Sequence, residues 1–80
     1  PAKVWRLEPE PNLTVLFIDE PEWFDRDRLY GHADDAERFI FFSKCVAHLA
    51  RRAEIVHAHD WQGGLVMPLL GGAPVGKVFT

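Results

Sequence analysis

The sequence predicts an α/β fold, with a partial Rossmann-like parallel sheet and flanking helices. Two observations predict it. A helical pattern over residues 34–52 is followed by a short apolar run at 54–59, and a second helical pattern over 60–70 is followed by another such run at 75–80. Strand–helix–strand units with short connections build parallel sheets with right-handed crossovers. The run at 54–59 shows little polar alternation, which is typical of a strand covered on both faces.

The first third of the chain predicts two strands and a loop. Residues 3–7 alternate in polarity, as in a half-buried strand, and the prolines within 8–12 predict a turn. The apolar run at 13–18 predicts a more buried strand that forms a hairpin with the first, giving a sheet of four strands in all. Residues 19–32 have no regular period and carry three aromatic side chains. We expect an irregular surface loop there, of a length that is often functional.

The helix over residues 34–52 is the clearest predicted element. Asp34 precedes Glu37 by three residues, which is the capping-box spacing, and Arg38 is placed to pair with a loop carboxylate. Four apolar side chains recur at helical intervals and should pack on the sheet: Phe39, Phe42, Val46 and Leu49. The second helix should be capped by Asp60 and end before Gly71.

Size and composition indicate one globular domain spanning residues 1–80. A chain of 80 residues is near the lower limit for one hydrophobic core, yet 48% hydrophobic residues is too apolar for a disordered segment. The chain begins with Pro1, and the strand predicted at 75–80 stops in mid-run. We therefore expect an internal fragment of a longer protein.

Charge and cysteine content exclude several classes of function. The net charge is −3 and the basic residues are scattered, so no nucleic-acid partner is expected. The longest uncharged stretch, 61–76, is shorter than the roughly 20 residues of a membrane helix, so no membrane partner is expected. The single cysteine, Cys45, lies in the helical pattern, which favours a packing role in a reducing cytosol.

The candidate functional site follows the strand at 54–59. Open α/β sheets bind ligands outside the carboxyl ends of their strands, and the residues there read HAHDWQGG over 57–64. This segment supplies two imidazoles, a carboxylate, an indole and an amide. Such groups can hydrogen-bond sugar hydroxyls and lie against the apolar face of a pyranose. We therefore predict a sugar site there.

Other interpretations of these residues remain open. Asp60 could serve only as a helix cap. His57 and His59 have a spacing that some zinc sites use, with Asp60 as a third donor, although the two remaining histidines show no pairing pattern. His57 is favoured as a buried strand residue that packs. Tyr30 could pack beneath the loop or line a cleft. The glycine-rich dinucleotide and phosphate motifs and the serine-nucleophile elbow do not occur, which leaves hydrolase and dinucleotide functions without support.

Four segments together resemble the N-terminal catalytic domain of glycogen and starch synthases of the bacterial and plant type, glycosyltransferase family 5. They are FIDEPEWFDR at 17–26, LYG at 29–31, DDAERF at 34–39 and EIVHAHDW at 54–61. The resemblance implies a two-domain GT-B enzyme with its active site between two Rossmann-like halves, of which this chain is part of the first. The C-terminal nucleotide-binding domain is absent from it. The loop Lys-x-Gly-Gly-Leu expected upstream is also absent, and Asp35 replaces a more common Asn.

The same resemblance implies a function. Such enzymes transfer glucose from ADP-glucose or UDP-glucose to the non-reducing end of an α-1,4-glucan with retention, without a metal or cofactor. The expected partners are thus a glucan and a nucleotide sugar, in a bacterial cytoplasm or a plastid. Asp60 inherits the catalytic role, and Asp60, Trp61, His59 and Tyr30 are the candidate substrate-binding residues, with His59 orienting Asp60. The fragment alone is expected to be inactive. The alternatives are a stand-alone carbohydrate-binding or interaction module and another GT-B glucosyltransferase.

Overall fold

The computed structural model describes residues 3–80. The chain divides into two compact units, Pro1–Gly31 and His32–Thr80. The first contains an antiparallel hairpin and a one-turn helix, and the second contains three helices and a parallel pair of strands.

The first unit contains the predicted hairpin. Strand β1 (Lys3–Glu10) pairs antiparallel with β2 (Leu13–Asp19), and Asn12 in the connecting turn has a φ of 66°. Asparagine is one of the few residues other than glycine that adopt this left-handed conformation readily. The register is irregular between Leu7 and Glu10, where Pro9 has no amide hydrogen to donate. The hairpin prediction is confirmed.

Two expectations for the first unit are wrong. Leu13, Leu16 and Phe17 of β2 are exposed rather than buried. The physical reason is that a two-stranded hairpin cannot cover its own faces. The expected irregular loop contains a short helix, α1 (Pro21–Phe24), with a proline at its start and bonds from the amides of residues 23 and 24 to the Glu20 carbonyl. Proline is favoured there because the first helical amide has no acceptor.

The second unit confirms the predicted strand–helix–strand order. Helix α2 (Asp35–Ala50) precedes strand β3 (Ile55–Ala58), and β3 pairs in parallel with β4 (Gly76–Phe79). Between the two strands, a segment predicted as one helix forms two short ones, α3 (Asp60–Gly63) and α4 (Val66–Leu70).

The predicted four-stranded sheet is wrong. The strands of residues 3–80 form two separate pairs, and β1 and β2 pair antiparallel with each other across their tight turn. Only β3 and β4 are parallel. The chain is therefore a mixed α/β structure with two small sheets.

The core of the second unit is small and lies where α2 and α4 cover one face of β3. Its members are nearly inaccessible to solvent: Ala47, Val56, Val66 and Leu70. Arg38, Ser43 and Ala47 are the buried residues of α2, whereas Phe39, Phe42 and Val46 are half-buried. The prediction that Leu49 packs in the core is wrong, since it is 42% exposed. Leu49 lies about 200° around the helix from Ala47 and points away from that face.

Strand β3 has one covered face. Val56 and Ala58 are buried, while Ile55 and His57 alternate with them and are exposed. Within the second unit, α2 and α4 pack on one side of the strand. The expectations that β3 is covered on both faces and that His57 is a buried packing residue are therefore wrong for residues 3–80.

Candidate functional site

Asp60 lies where the chain leaves the carboxyl end of β3. Its amide donates to the Thr80 carbonyl at 2.8 Å, and the Thr80 amide donates to the Ala58 carbonyl at 3.1 Å. Asp60 has a φ of 61°, in the left-handed region that few residues other than glycine adopt. Aspartate tolerates it because its short polar side chain can bond locally. Main-chain hydrogen bonds thus fix the position of the Asp60 backbone from which the carboxylate extends.

The carboxylate of Asp60 turns back onto the next residue. Its Oδ1 accepts a hydrogen bond from the Trp61 amide at 2.8 Å, while the side chain stays exposed. The predicted helix cap is incorrect in detail. His59 holds the N-cap position of α3, and Asp60 is the first helical residue. Because one backbone amide occupies only part of its acceptor capacity, the carboxylate can still accept bonds from a ligand.

The two histidines of the segment stack on each other. The ring centroids of His57 and His59 are 4.1 Å apart with an interplanar angle of 26°, and both residues are exposed. His57 Nε2 lies 2.7 Å from Thr80 Oγ1. Among residues 3–80, no group of three or more His, Cys, Asp or Glu residues is placed to hold a metal ion. The zinc alternative therefore finds no ligand set there.

Trp61 follows Asp60 in the chain and is 53% exposed. Its ring meets that of Phe39 edge to face, with centroids 5.1 Å apart and an interplanar angle of 79°. The two rings border a groove of about 230 Å³ whose walls come from α2 and from the segment after Asp60: Ala36, Phe39, Ile40, Trp61, Gln62 and Leu65. The lining is almost wholly apolar, which suits the apolar face of a sugar ring.

A second groove of about 290 Å³ brings the stacked histidines together with apolar residues of α2, β3 and α4. Gln62 and Phe42 contribute to its wall, and Gln62 is shared with the first groove. The structure thus gathers His59, Asp60 and Trp61 at the end of β3, as their sequence positions predict.

Helix α2 contacts the segment after Asp60 through a side-chain hydrogen bond. Ser43 is fully buried, and its hydroxyl donates to the Gln62 carbonyl at 3.3 Å. This bond satisfies a polar group that would otherwise be costly to bury. No sequence pattern pointed to Ser43, and Phe39 was expected only to pack on the sheet. Phe39 and Ser43 are four residues apart and therefore lie on one side of α2, which was the only sequence signal that the two could contact the same segment.

The start of α2 differs from the predicted capping box. Asp34 holds the N-cap position, with no side-chain capping bond to the described part of the helix. Asp35 Oδ1 instead accepts bonds from the His32 amide at 3.0 Å and from Arg38 at 2.9 Å. Arg38 thus bonds to a residue of its own helix, and its expected pairing with a loop carboxylate stays a prediction. This ion pair is substantially buried, since the Arg38 and Asp35 side chains are 3% and 19% exposed.

Tyr30, the fourth candidate residue, belongs to the first unit and is 56% exposed. It lies in the bend that follows α1, and its role in substrate binding stays a prediction. None of the helices formed by residues 3–80 has the length and apolar character needed to cross a membrane.

Comparison with known proteins identifies the family. Residues 1–77 match the starch synthase catalytic domain. The glycogen synthase of Bacillus subtilis is 48% identical over 65 residues, covering 76% of this chain and 13% of the relative. The glycogen synthase of Bacillus cereus (strain B4264) is 43% identical over 65 residues, covering 76% of this chain and 14% of the relative. The glycogen synthase of Halalkalibacterium halodurans is 39% identical over 79 residues, covering 89% and 17%.

The chain thus spans only 13% to 17% of the length of these relatives. No solved structure matches it significantly. The resemblance predicted from the four sequence segments is confirmed. The chain belongs to the starch synthase catalytic domain family.

Proposed function

We propose that the full-length protein is a glycogen or starch synthase. It transfers glucose from ADP-glucose, or from UDP-glucose, to the non-reducing end of an α-1,4-glucan with retention of configuration. Family membership and three bacterial relatives named glycogen synthase support this activity. The bacterial relatives favour a bacterial cytoplasm over a plastid. The rest of a two-domain GT-B enzyme supplies the nucleotide-binding half, so the 80-residue segment alone is inactive.

The observation that carries the proposal is the fixed position of the Asp60 carboxylate. Its backbone amide is held by the carbonyl of Thr80, just after β4, and its Oδ1 by the Trp61 amide, while the side chain remains exposed near the carboxyl end of a parallel strand. This is where open α/β sheets bind ligands. A carboxylate held in this way needs little reorganisation when a substrate arrives.

The Asp60 carboxylate stabilises the positive charge that develops in the transition state. Transfer of a glucosyl group with retention develops positive charge on the sugar ring, and a fixed negative group nearby stabilises that charge more than it stabilises the ground state. The exposed indole of Trp61 provides an apolar surface for a glucosyl ring of the acceptor. His59, which stacks on His57 beside this surface, and Tyr30 complete the proposed substrate-binding set.

Asp60→Asn in the full-length protein tests the proposal. Asparagine tolerates the left-handed backbone and keeps an oxygen for the Trp61 amide, so the change removes mainly the charge. We expect kcat for glucose transfer from ADP-glucose to glycogen to fall about 100-fold or more, with an unchanged melting temperature. Glu54→Gln, which neutralises a carboxylate beside the opposite end of β3, is the matched control and should keep normal turnover. Near-normal turnover of Asp60→Asn would contradict the proposal.

A further inference from the structure

We infer that Phe39 is a positioning residue for Trp61, whose indole it holds in the orientation that receives a glucosyl ring of the acceptor glucan. The inference rests on the proposed function, because it concerns the acceptor surface assigned there to Trp61. It adds a residue of α2 to a site otherwise built from the segment after β3.

The geometry of the two rings is the first argument. A centroid distance of 5.1 Å and an interplanar angle of 79° lie within the range that edge-to-face aromatic pairs prefer. Trp61 is 53% exposed, so much of its surface is open to solvent and the contacts that it makes decide which side-chain rotamer it adopts. The contact with Phe39 favours the rotamer that places the indole along the groove between α2 and α3.

The second argument is that Phe39 is itself held in place. The guanidinium carbon of Arg38 lies 5.2 Å from the centroid of the Phe39 ring. Arg38 is buried and bonded to Asp35, so this cation has little freedom to move. A cation over an aromatic face is attracted by the ring quadrupole. The ring that contacts Trp61 is therefore anchored to the first turns of α2.

The third argument concerns the backbone that carries Trp61. One turn further along α2, Ser43 bonds to the carbonyl of Gln62, the residue that follows Trp61. Helix α2 thus fixes both the main chain of α3, through Ser43, and the indole, through Phe39. Small displacements of a group that orients a substrate can lower the rate strongly. This double attachment is what a positioning role requires.

The test is a double-mutant cycle in the full-length enzyme, with Phe39→Leu, Trp61→Ala and the double variant. We expect Phe39→Leu to raise the KM for glycogen about 2- to 10-fold, with the KM for ADP-glucose unchanged. Phe39→Tyr keeps the ring and should restore the wild-type KM. In the Trp61→Ala background, Phe39→Leu should have no further effect, because its action passes through the indole.

Leu49→Ala is the matched control, since it truncates an exposed apolar side chain of the same helix. It should leave both KM values unchanged. If Phe39→Leu is insoluble, Phe39→Met replaces it. A melting temperature lowered by Phe39→Leu with an unchanged KM for glycogen would overturn the inference, as would additive effects in the double variant. An unchanged KM for glycogen in Trp61→Ala would contradict the proposed acceptor surface itself, so the two failures are distinguishable.

Discussion

The amide of Asp60 donates a hydrogen bond to the carbonyl of Thr80 at 2.8 Å, and this bond fixes the second residue past β3 against the residue after β4. The parallel pairing of the strands therefore extends to the point where the chain turns into α3. Asp60 adopts its φ of 61° at this point. The candidate catalytic carboxylate is positioned mainly by main-chain bonds, which side-chain substitutions elsewhere do not remove.

The left-handed backbone of Asp60 predicts an order of stability for three substitutions. Asp60→Asn should unfold at the wild-type urea concentration, because asparagine tolerates this conformation and keeps an acceptor for the Trp61 amide. Asp60→Gly avoids the strain but loses that bond. Asp60→Ala loses the bond and adds the left-handed penalty of about 1–2 kcal/mol, so it should be the least stable of the three. Equal midpoints for Ala and Gly would show that the positive φ carries no penalty.

The buried pair of Arg38 and Asp35 predicts unequal effects from its two members. Arg38→Met removes the ion pair with Asp35, and we expect a loss toward the lower end of the roughly 3–5 kcal/mol seen when a buried pair is broken, since Asp35 is 19% exposed. Asp35→Asn keeps an oxygen that can accept from both the His32 amide and Arg38, and it should cost less. Urea unfolding of both variants measures the difference, and a larger loss for Asp35→Asn would contradict this account.

Sequence patterns predicted the helices, strands and turns that nearby residues in the chain determine. The prolines within 8–12 and the two apolar runs around them gave the hairpin, and the apolar period of residues 34–52 gave α2 within two residues at each end. The strand–helix–strand order gave the parallel pair β3 and β4. Burial was less predictable, because it depends on how much covering structure is present. That is why β2, His57 and Leu49 are exposed where packing was expected.

The sequence predicted which segment carries the candidate site, but it did not predict which residues of α2 contact that segment. The position of Asp60 after the strand predicted at 54–59 located the carboxylate, since open α/β sheets bind ligands outside the carboxyl ends of their strands. The contacts of Phe39 and Ser43 with Trp61 and Gln62 join residues 19 or more positions apart and depend on the packing angle of α2. No periodicity in the sequence encodes that angle. These supporting residues became visible only in the folded chain.

Two leucines of the second unit provide a matched test of the core. Leu70 is 1% exposed and packs among Ala47, Val56 and Val66, whereas Leu49 is 42% exposed. Leu70→Ala should lower the free energy of unfolding by about 2–5 kcal/mol, and Leu49→Ala by less than about 1 kcal/mol. Chemical denaturation of the two variants compares the same truncation at both sites. Similar losses would show that the face of α2 bearing Leu49 is covered in the full-length protein.

Cys45 predicts a pH dependence. Burial disfavours the thiolate and raises the pKa of this thiol above its ordinary value of 9.0. Alkylation by iodoacetamide requires the thiolate, so at pH 8 Cys45 should react more slowly in the folded protein than in 6 M urea.

The same raised pKa of Cys45 also makes the free energy of unfolding depend on pH. The stability that the protonated Cys45 thiol contributes is fully present below the pKa that this thiol has in the unfolded chain. It is lost as pH rises through the pKa of the folded protein, because the unfolded chain releases the proton first. Cys45→Ala is the control, and its stability should not show this decline above pH 9. Equal alkylation rates in the folded and unfolded protein would contradict the prediction.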